Sequence, residues 1–222
     1  MLYAIGDIHG MRERLVMLIE RLPLTPEDHL VFIGDYVDRG PDPKGTVDYL
    51  IELNQRHRCT FLLGNHESMF LSYIGWEGPA YFGGRLYIQN GGGTTLGSYG
   101  CAEDDLAGFR LPPEHEDFFR GCQLWYVDGP YVFVHAGLSR RALRLSEIEY
   151  ALTSEHPREL LWERNTMSLP HGLGYTIVYG HTPVPDLQVR WNLPYSIGID
   201  TGAAFGGPLT AIRLPDETLF QV

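Results

Sequence analysis

Asp7 and His9 in "GDIHG", Asp35, Asp38 and Arg39 in "GDYVDRG", Asn65 and His66 in "GNHE", His135 in "HAG" and His181 in "YGHT" are residue types that can do chemistry together. Each group closes a short apolar run. Taken singly, most have an ordinary structural explanation. Asp7 could cap a helix, His9 could be a turn histidine, Asn65 could tolerate a tight turn, and His135 could sit satisfied in a core. For the turn at 34–40 three readings compete: a salt-bridged turn, an anion-binding loop, or part of a metal site. The recurrence of the pattern at five places favours the metal site. Asp and His are ligands for Mn, Fe or Zn, and Asn adds a neutral oxygen. Two divalent ions about 3.5–4 Å apart are the usual device for in-line displacement at phosphorus.

Such residues need elements to bring them together. "LYAI", "HLVFI" and "TFLL" read as strands, separated by the helical periodicity of "MRERLVMLIERL" and "KGTVDYLIELNQR". This alternation predicts parallel βαβ units, whose ligand sites lie beyond the carboxyl ends of the strands. Residues 75–110, rich in glycine and aromatics, read as loop with short helices, and a helix is expected from "LPPEHEDFFRGC", with Pro112 or Pro113 in its first turn. The runs "QLWYVDG", "PYVFVHAG", "YTIVYGHT", "LQVRW", "YSIGIDTG", "PLTAIRLP" and "ETLFQV" read as further strands, interrupted by a helical stretch around 140–165. The expected fold is α/β: a four-layer sandwich of two mixed β-sheets flanked by helices.

Composition sets the frame. The chain has 222 residues, 44% hydrophobic and 20% charged, enough for a full core in one domain spanning 1–222. Its net charge of −11 argues against a broad nucleic-acid surface but not against a site that gathers cations. Cys59, Cys101 and Cys122 are too few for a disulfide framework, which points to a reducing cytoplasm. No apolar run approaches the roughly 20 residues of a membrane helix.

In order, the five blocks resemble the signature blocks of the phosphoprotein phosphatase family, within the calcineurin-like metallophosphoesterases. The likeness runs from residue 5 to 182 and on into "IDTGAAFGGPLTAIRL". It implies that Asp7 and His9 hold a first metal, that Asp35 bridges both, and that Asn65, His135 and His181 complete the second. A bridging ligand should be charged, because it holds two cations together at short range. By the same resemblance a water bridging the ions would attack phosphorus as hydroxide. His66 would be the general acid with Asp38 as its partner, while Arg39, Arg164 and Asn65 would contact substrate, the guanidinium fork suiting phosphate. The cofactors expected are two divalent ions, Mn first, with Fe or Zn as alternatives.

For substrate, Asp38 in "GDYVDRG" and Glu67 in "GNHE" fall on the protein-phosphatase side of the family, and the chain is similar in length to its compact bacterial and phage members. The resemblance therefore implies a phosphomonoesterase for phosphoserine or phosphothreonine, with phosphotyrosine as a further option and phosphoproteins or phosphopeptides as partners. The alternative is a dinucleoside polyphosphate hydrolase or a broad small-molecule phosphatase. Arg164 has a second reading as a surface ion pair with Glu163 or Glu159, and Arg140 and Arg141 are weaker candidates. His57, His115, His156 and His171 read as structural or solvated, and Trp76, Tyr81, Phe82 and Tyr87 either line a groove or pack a loop down.

Overall fold

The computed structural model describes residues 1–103 and 105–222. Among these, ten strands form two five-stranded sheets. In the first, β1 (Leu2–Ile5), β2 (His29–Phe32) and β3 (Arg58–Phe61) are parallel, and β9 (Thr210–Leu214) and β10 (Thr218–Gln221) return from the end of the chain to pair antiparallel beside β1. In the second, β5 (Tyr131–Val134), β6 (Thr176–Tyr179) and β8 (Ser196–Gly198) are parallel, flanked by antiparallel β4 (Trp125–Asp128) and β7 (Arg190–Asn192). Both sheets are mixed, as expected.

The period-two alternation of the strands assigns each side chain to a layer. Ala4, Val31, Ile33, Phe133, Val178 and Ile197 fill the space between the sheets. Tyr3, Ile5, Leu30 and Phe32 face the opposite way, onto α1 (Arg12–Arg21), α2 (Pro43–Asn54), α3 (Asn65–Tyr73) and α5 (Pro113–Gly121). Val132, Val134, Ile177 and Tyr179 face α6 (Ile148–Thr153) and α7 (Pro157–Trp162). The result is helix, sheet, sheet, helix, the expected four-layer sandwich.

Sequence signals account for most boundaries. Asp42 caps α2, accepting from Gly45 N at 2.9 Å, with Pro43 in the first turn. Pro113 opens α5 in the same way. The stretch 75–110 holds two 3-10 turns and the short α4 (Gly93–Ser98). One element departs from expectation: Asn65 and His66 do not lie in a turn but open α3, where Glu67 accepts from Gly64 N at 3.0 Å. Asp7 caps nothing, since α1 begins after Met11 without a side-chain cap.

Three histidines outside the five blocks make local structural bonds. His115 is buried between Tyr99 Oη at 2.6 Å and Asp48 at 2.7 Å, tying α5 to α2 and the end of α4. His156 accepts from Arg158 N at the start of α7, and His171 bonds Tyr195 O at 3.0 Å.

Candidate metal centre

The carboxyl ends of β1, β2, β3, β5 and β6 converge at one edge of the sandwich. They carry Asp7 and His9, Asp35, Asn65 and His66, His135, and His181, each at most 6% exposed. Burying so many polar side chains requires an unusual backbone. His9, Asp35, Asp38, Arg39 and His181 all have positive φ, a conformation that costs a non-glycine residue on the order of 1 kcal/mol or more. Neighbours hold the turn in place. Asp35 O accepts from Ile8 N and His9 N at 3.0 and 2.7 Å, and the Glu67 carboxylate accepts from Asp35 N, Tyr36 N and Val37 N at 2.8, 2.7 and 3.1 Å. Gly34, at φ 101, sits where a Cβ would strike Gly64 N at 2.7 Å, and a Cβ on Gly40 would lie 2.1 Å from His9 O. Both glycines are there for close approach.

Asp35 is the centre of the arrangement. Its Oδ2 lies 3.5 Å from His9 Nε2, and its Oδ1 lies 3.5 Å from His135 Nε2. The two oxygens thus face different groups of donors. One group is His9, Asp35 and His66, the other Asp35, His135 and His181, and within each the donor atoms lie within 4.8 Å of one another. Asn65 Oδ1 completes the second group, 3.0 Å from His135 Nε2 and 2.8 Å from His181 Nδ1.

Hydrogen bonds behind the imidazoles fix their tautomers. His9 Nδ1 donates to Val37 O at 3.0 Å and His135 Nδ1 to Ile33 O at 2.8 Å, which turns an Nε2 lone pair inward in both. Burial pushes His9 down to about 3 and His181 down to about 2, and lowers His135 as well. Neutral imidazole is the form that ligates. Asp35 is drawn downward: burial opposes its charge, while a proton on any of the facing imidazoles of His135, His66, His9 or His181 favours it. Asp7 is raised by burial and by the charges of Asp200 and Asp35. Three buried carboxylates in mutual repulsion, facing neutral nitrogens, form a donor set suited to divalent cations.

Beside this cradle, His66 Nδ1 meets Asp38 Oδ2 at 2.6 Å. The other Asp38 oxygen accepts from Tyr87 Oη at 2.9 Å and Thr95 Oγ1 at 2.5 Å, while Thr95 Oγ1 accepts from Asp38 N at 2.9 Å. Tyr87 therefore packs, and it also holds the Asp38 carboxylate. Trp76, Tyr81 and Phe82 pack against the first core. Arg39 donates to His9 Nε2, and exposed Arg164 donates to Thr182 Oγ1 at 3.3 Å, beside His181. Among the described residues Arg164 makes no ion pair with Glu163 or Glu159. Arg140 and Arg141 are exposed.

Two further buried acids belong to the site, the first without a role in the sequence analysis. Asp200 follows β8 and is pushed up to about 6 by burial, with the charge of Asp35 adding to it. Its signal was available: "YSIGID" is one more apolar run ending in a carboxylate. Glu67 is the other, recognisable as an acid at the third position of a helix.

A phosphoester hydrolase that works through two metal ions is the class this fold and donor set define. The chain belongs to the calcineurin-like phosphoesterase family, whose profile matches residues 2–204, a family of dinuclear metal-dependent enzymes. A bis(5'-nucleosyl)-tetraphosphatase PrpE [asymmetrical] of Anoxybacillus flavithermus is 30% identical over 237 residues, covering 98% of this chain and 92% of the relative. A symmetrical bis(5'-nucleosyl)-tetraphosphatase of Nitrosospira multiformis is 28% identical, covering 99% and 94%. Among solved structures, a cold-active protein-tyrosine phosphatase of a Shewanella species superposes with a TM-score of 0.60 at 18% identity, covering 99% of this chain and 79% of the other, a likeness of fold.

These relatives overturn the expected phosphoprotein partner. The physical reason lies in the two residues that argued for it. Asp38 is spent on His66, Tyr87 and Thr95, and Glu67 on four backbone N–H groups. Both oxygens of each carboxylate are engaged within the protein, so the two residues report how the turn is built. As to membranes, no helix among the described residues is long and apolar enough to cross one.

Proposed function

We propose that this chain is a metal-dependent hydrolase of dinucleoside polyphosphates, with bis(5'-nucleosyl) tetraphosphates as the substrate class. The reaction type rests on one observation, the split of Asp35 between two sets of donors. The substrate class rests on the relatives that match nearly end to end.

Asp7 and His9 would hold one ion, Asn65, His135 and His181 the other, and Asp35 would be shared between them; Mn is the first candidate, with Fe or Zn as alternatives. When bound, the pair polarises the phosphoryl group and supplies a water acidic enough to attack. His66 protonates the leaving oxygen, and Asp38 holds its ring in register from the far side, itself held by Tyr87 and Thr95. A ring nitrogen of His66 also lies within 4.8 Å of the donor atoms of Asp35 and His9. Its engagement by Asp38 favours the acid role.

Arg39 lies on the His9 side and Arg164 on the His181 side. Two cations flanking the cradle suit a chain of phosphates better than a single phosphoryl group. Residues 1–222 act as one domain, since β9 and β10 complete the first sheet and both sheets supply ligands. The three cysteines are free thiols, Cys59 pushed up to about 12 by burial, which fits a reducing cytoplasm.

The test is a panel with added Mn: diadenosine tetraphosphate, a phosphopeptide and a bis-phosphodiester. The dinucleotide is expected to have the highest kcat/KM. A phosphopeptide cleaved with a higher kcat/KM would overturn the assignment. Chromatography of the products, two nucleoside diphosphates against a mono- and a triphosphate, fixes the position of cleavage.

A further inference from the structure

Phe205 is an aromatic ring that the chemistry above does not use. It is 57% exposed, yet the turn that carries it is firmly tied. Ala203–Phe205 form a 3-10 turn between Gly202 and Gly206, both at positive φ, closed by bonds to Gly202 O from Phe205 N at 2.8 Å and Gly207 N at 3.0 Å. Arg14 of α1 reaches across to donate to Ala203 O and Gly207 O. On the inner side Gly202 N donates to Asp200 Oδ1 at 3.0 Å, and the Thr201 hydroxyl bonds Pro208 O at 2.7 Å. The turn is thus anchored to the buried carboxylate behind the cradle and displays a large apolar ring outward.

That ring meets the phosphate arginine. The Arg39 guanidinium carbon lies 5.0 Å from the Phe205 ring centroid, and the same guanidinium donates to His9 Nε2. Phe205 therefore stands one guanidinium away from the donors of the first group, with the rest of its face in solvent. A cation–π contact explains part of this placement. It does not explain why more than half of a Phe ring is left exposed at the mouth of a polar site.

We propose that Phe205 is a stacking platform for a nucleobase, so that the site reads the nucleoside as well as the phosphates. The inference rests on the nucleotide reading of the site given above. A rigid aromatic face beside a phosphate-binding cation is the combination that holds bases without reading their sequence.

The test is calorimetric titration of the Mn-loaded protein with AMP and with ribose 5-phosphate, which differ by the base alone. The wild type is expected to bind AMP about tenfold more tightly, the loss of one base–aromatic stack. Phe205→Ala and Phe205→Leu should bring the two affinities together, and Phe205→Trp should restore or widen the gap. Circular dichroism checks that each variant is folded, and Phe205→Leu keeps most of the apolar bulk if the alanine variant is not. Equal affinities in the wild type, or an unchanged ratio in Phe205→Leu, would overturn the proposal. Loss of both ligands by one common factor would also do so, because Phe205 would then act on Arg39 only. A retained base preference in a protein that cleaves phosphopeptides best would instead sink the substrate assignment and leave this platform standing.

Discussion

The donor cradle and the rim above it are built by opposite means. In the cradle, every proposed ligand is nearly inaccessible and sits at a strand end or the first turn of α3, and the rings of His9 and His135 are each backed by a bond to a main-chain carbonyl. On the rim the side chains face solvent: Arg164 is held by one bond to a hydroxyl, and Phe205 projects most of its ring outward from a tied turn. The difference teaches where rigidity is needed. Two cations held close together require oxygen and nitrogen atoms fixed within tenths of an ångström, and a backbone that accepts positive φ at five non-glycine residues is the cost of that placement. A flexible polyphosphate asks only for cations and a flat face within reach.

The largest effect is expected at the heart of the cradle. Asp35→Asn keeps the shape and removes the charge shared by both donor groups, and should lower kcat/KM by about 4 kcal/mol, roughly 10³-fold. Elemental analysis should find both ions depleted. Full occupancy at both sites in that variant would show that the two groups do not depend on Asp35, and the contrast with the rim would lose its centre.

The cradle was also the part most legible in the sequence. Strand ends announce themselves by an apolar run followed by a polar residue, and five such ends carry Asp7 with His9, Asp35, Asn65 with His66, His135, and His181. The same rule, carried one strand further, reaches Asp200. What holds the cradle was harder to see. Tyr87 and Thr95 reach Asp38 across 49 and 57 residues from a segment with weak periodicity, and no local pattern encodes a bond between side chains so far apart in sequence. Glu67 was misread for a related reason. Its position matches a family block, but its carboxylate is consumed by backbone N–H groups, so its identity follows from the shape of the 34–40 turn and says nothing of substrate. The rim was least legible. Phe205 lies in a short 3-10 turn, where exposure and a neighbouring arginine are set by tertiary packing alone.

His66 stands between the two regions: its ring is buried with Asp38, and its backbone N donates to Asp35 Oδ1 at 3.0 Å. His66→Asn should leave metal content close to wild type and lower turnover by about 10²–10⁴-fold, most for substrates with poor leaving groups. The measurement is kcat across a series of phosphoesters with leaving groups of different pKa, with metal analysis alongside. A uniform loss across the series, accompanied by depletion of one ion, would move His66 from acid to ligand and place it wholly within the cradle.

The smallest effects belong to the two arginines, and they test the contrast directly. Arg39 is half in the cradle, bonded to His9 and covered by Phe205, so its charge acts where water is partly excluded. Arg39→Ala should cost about 2 kcal/mol in kcat/KM, roughly 30-fold. Arg164 is exposed and bonded to one hydroxyl, and solvent screens it. Arg164→Ala should cost about 1 kcal/mol, roughly fivefold, mostly in KM, and the loss should shrink as ionic strength rises. If the two act on separate phosphates, the double variant on diadenosine tetraphosphate should show additive losses. An Arg164→Ala loss as large as that of Arg39→Ala and insensitive to salt would mean that Arg164 folds inward onto the substrate, making the rim as fixed as the cradle once the site is filled.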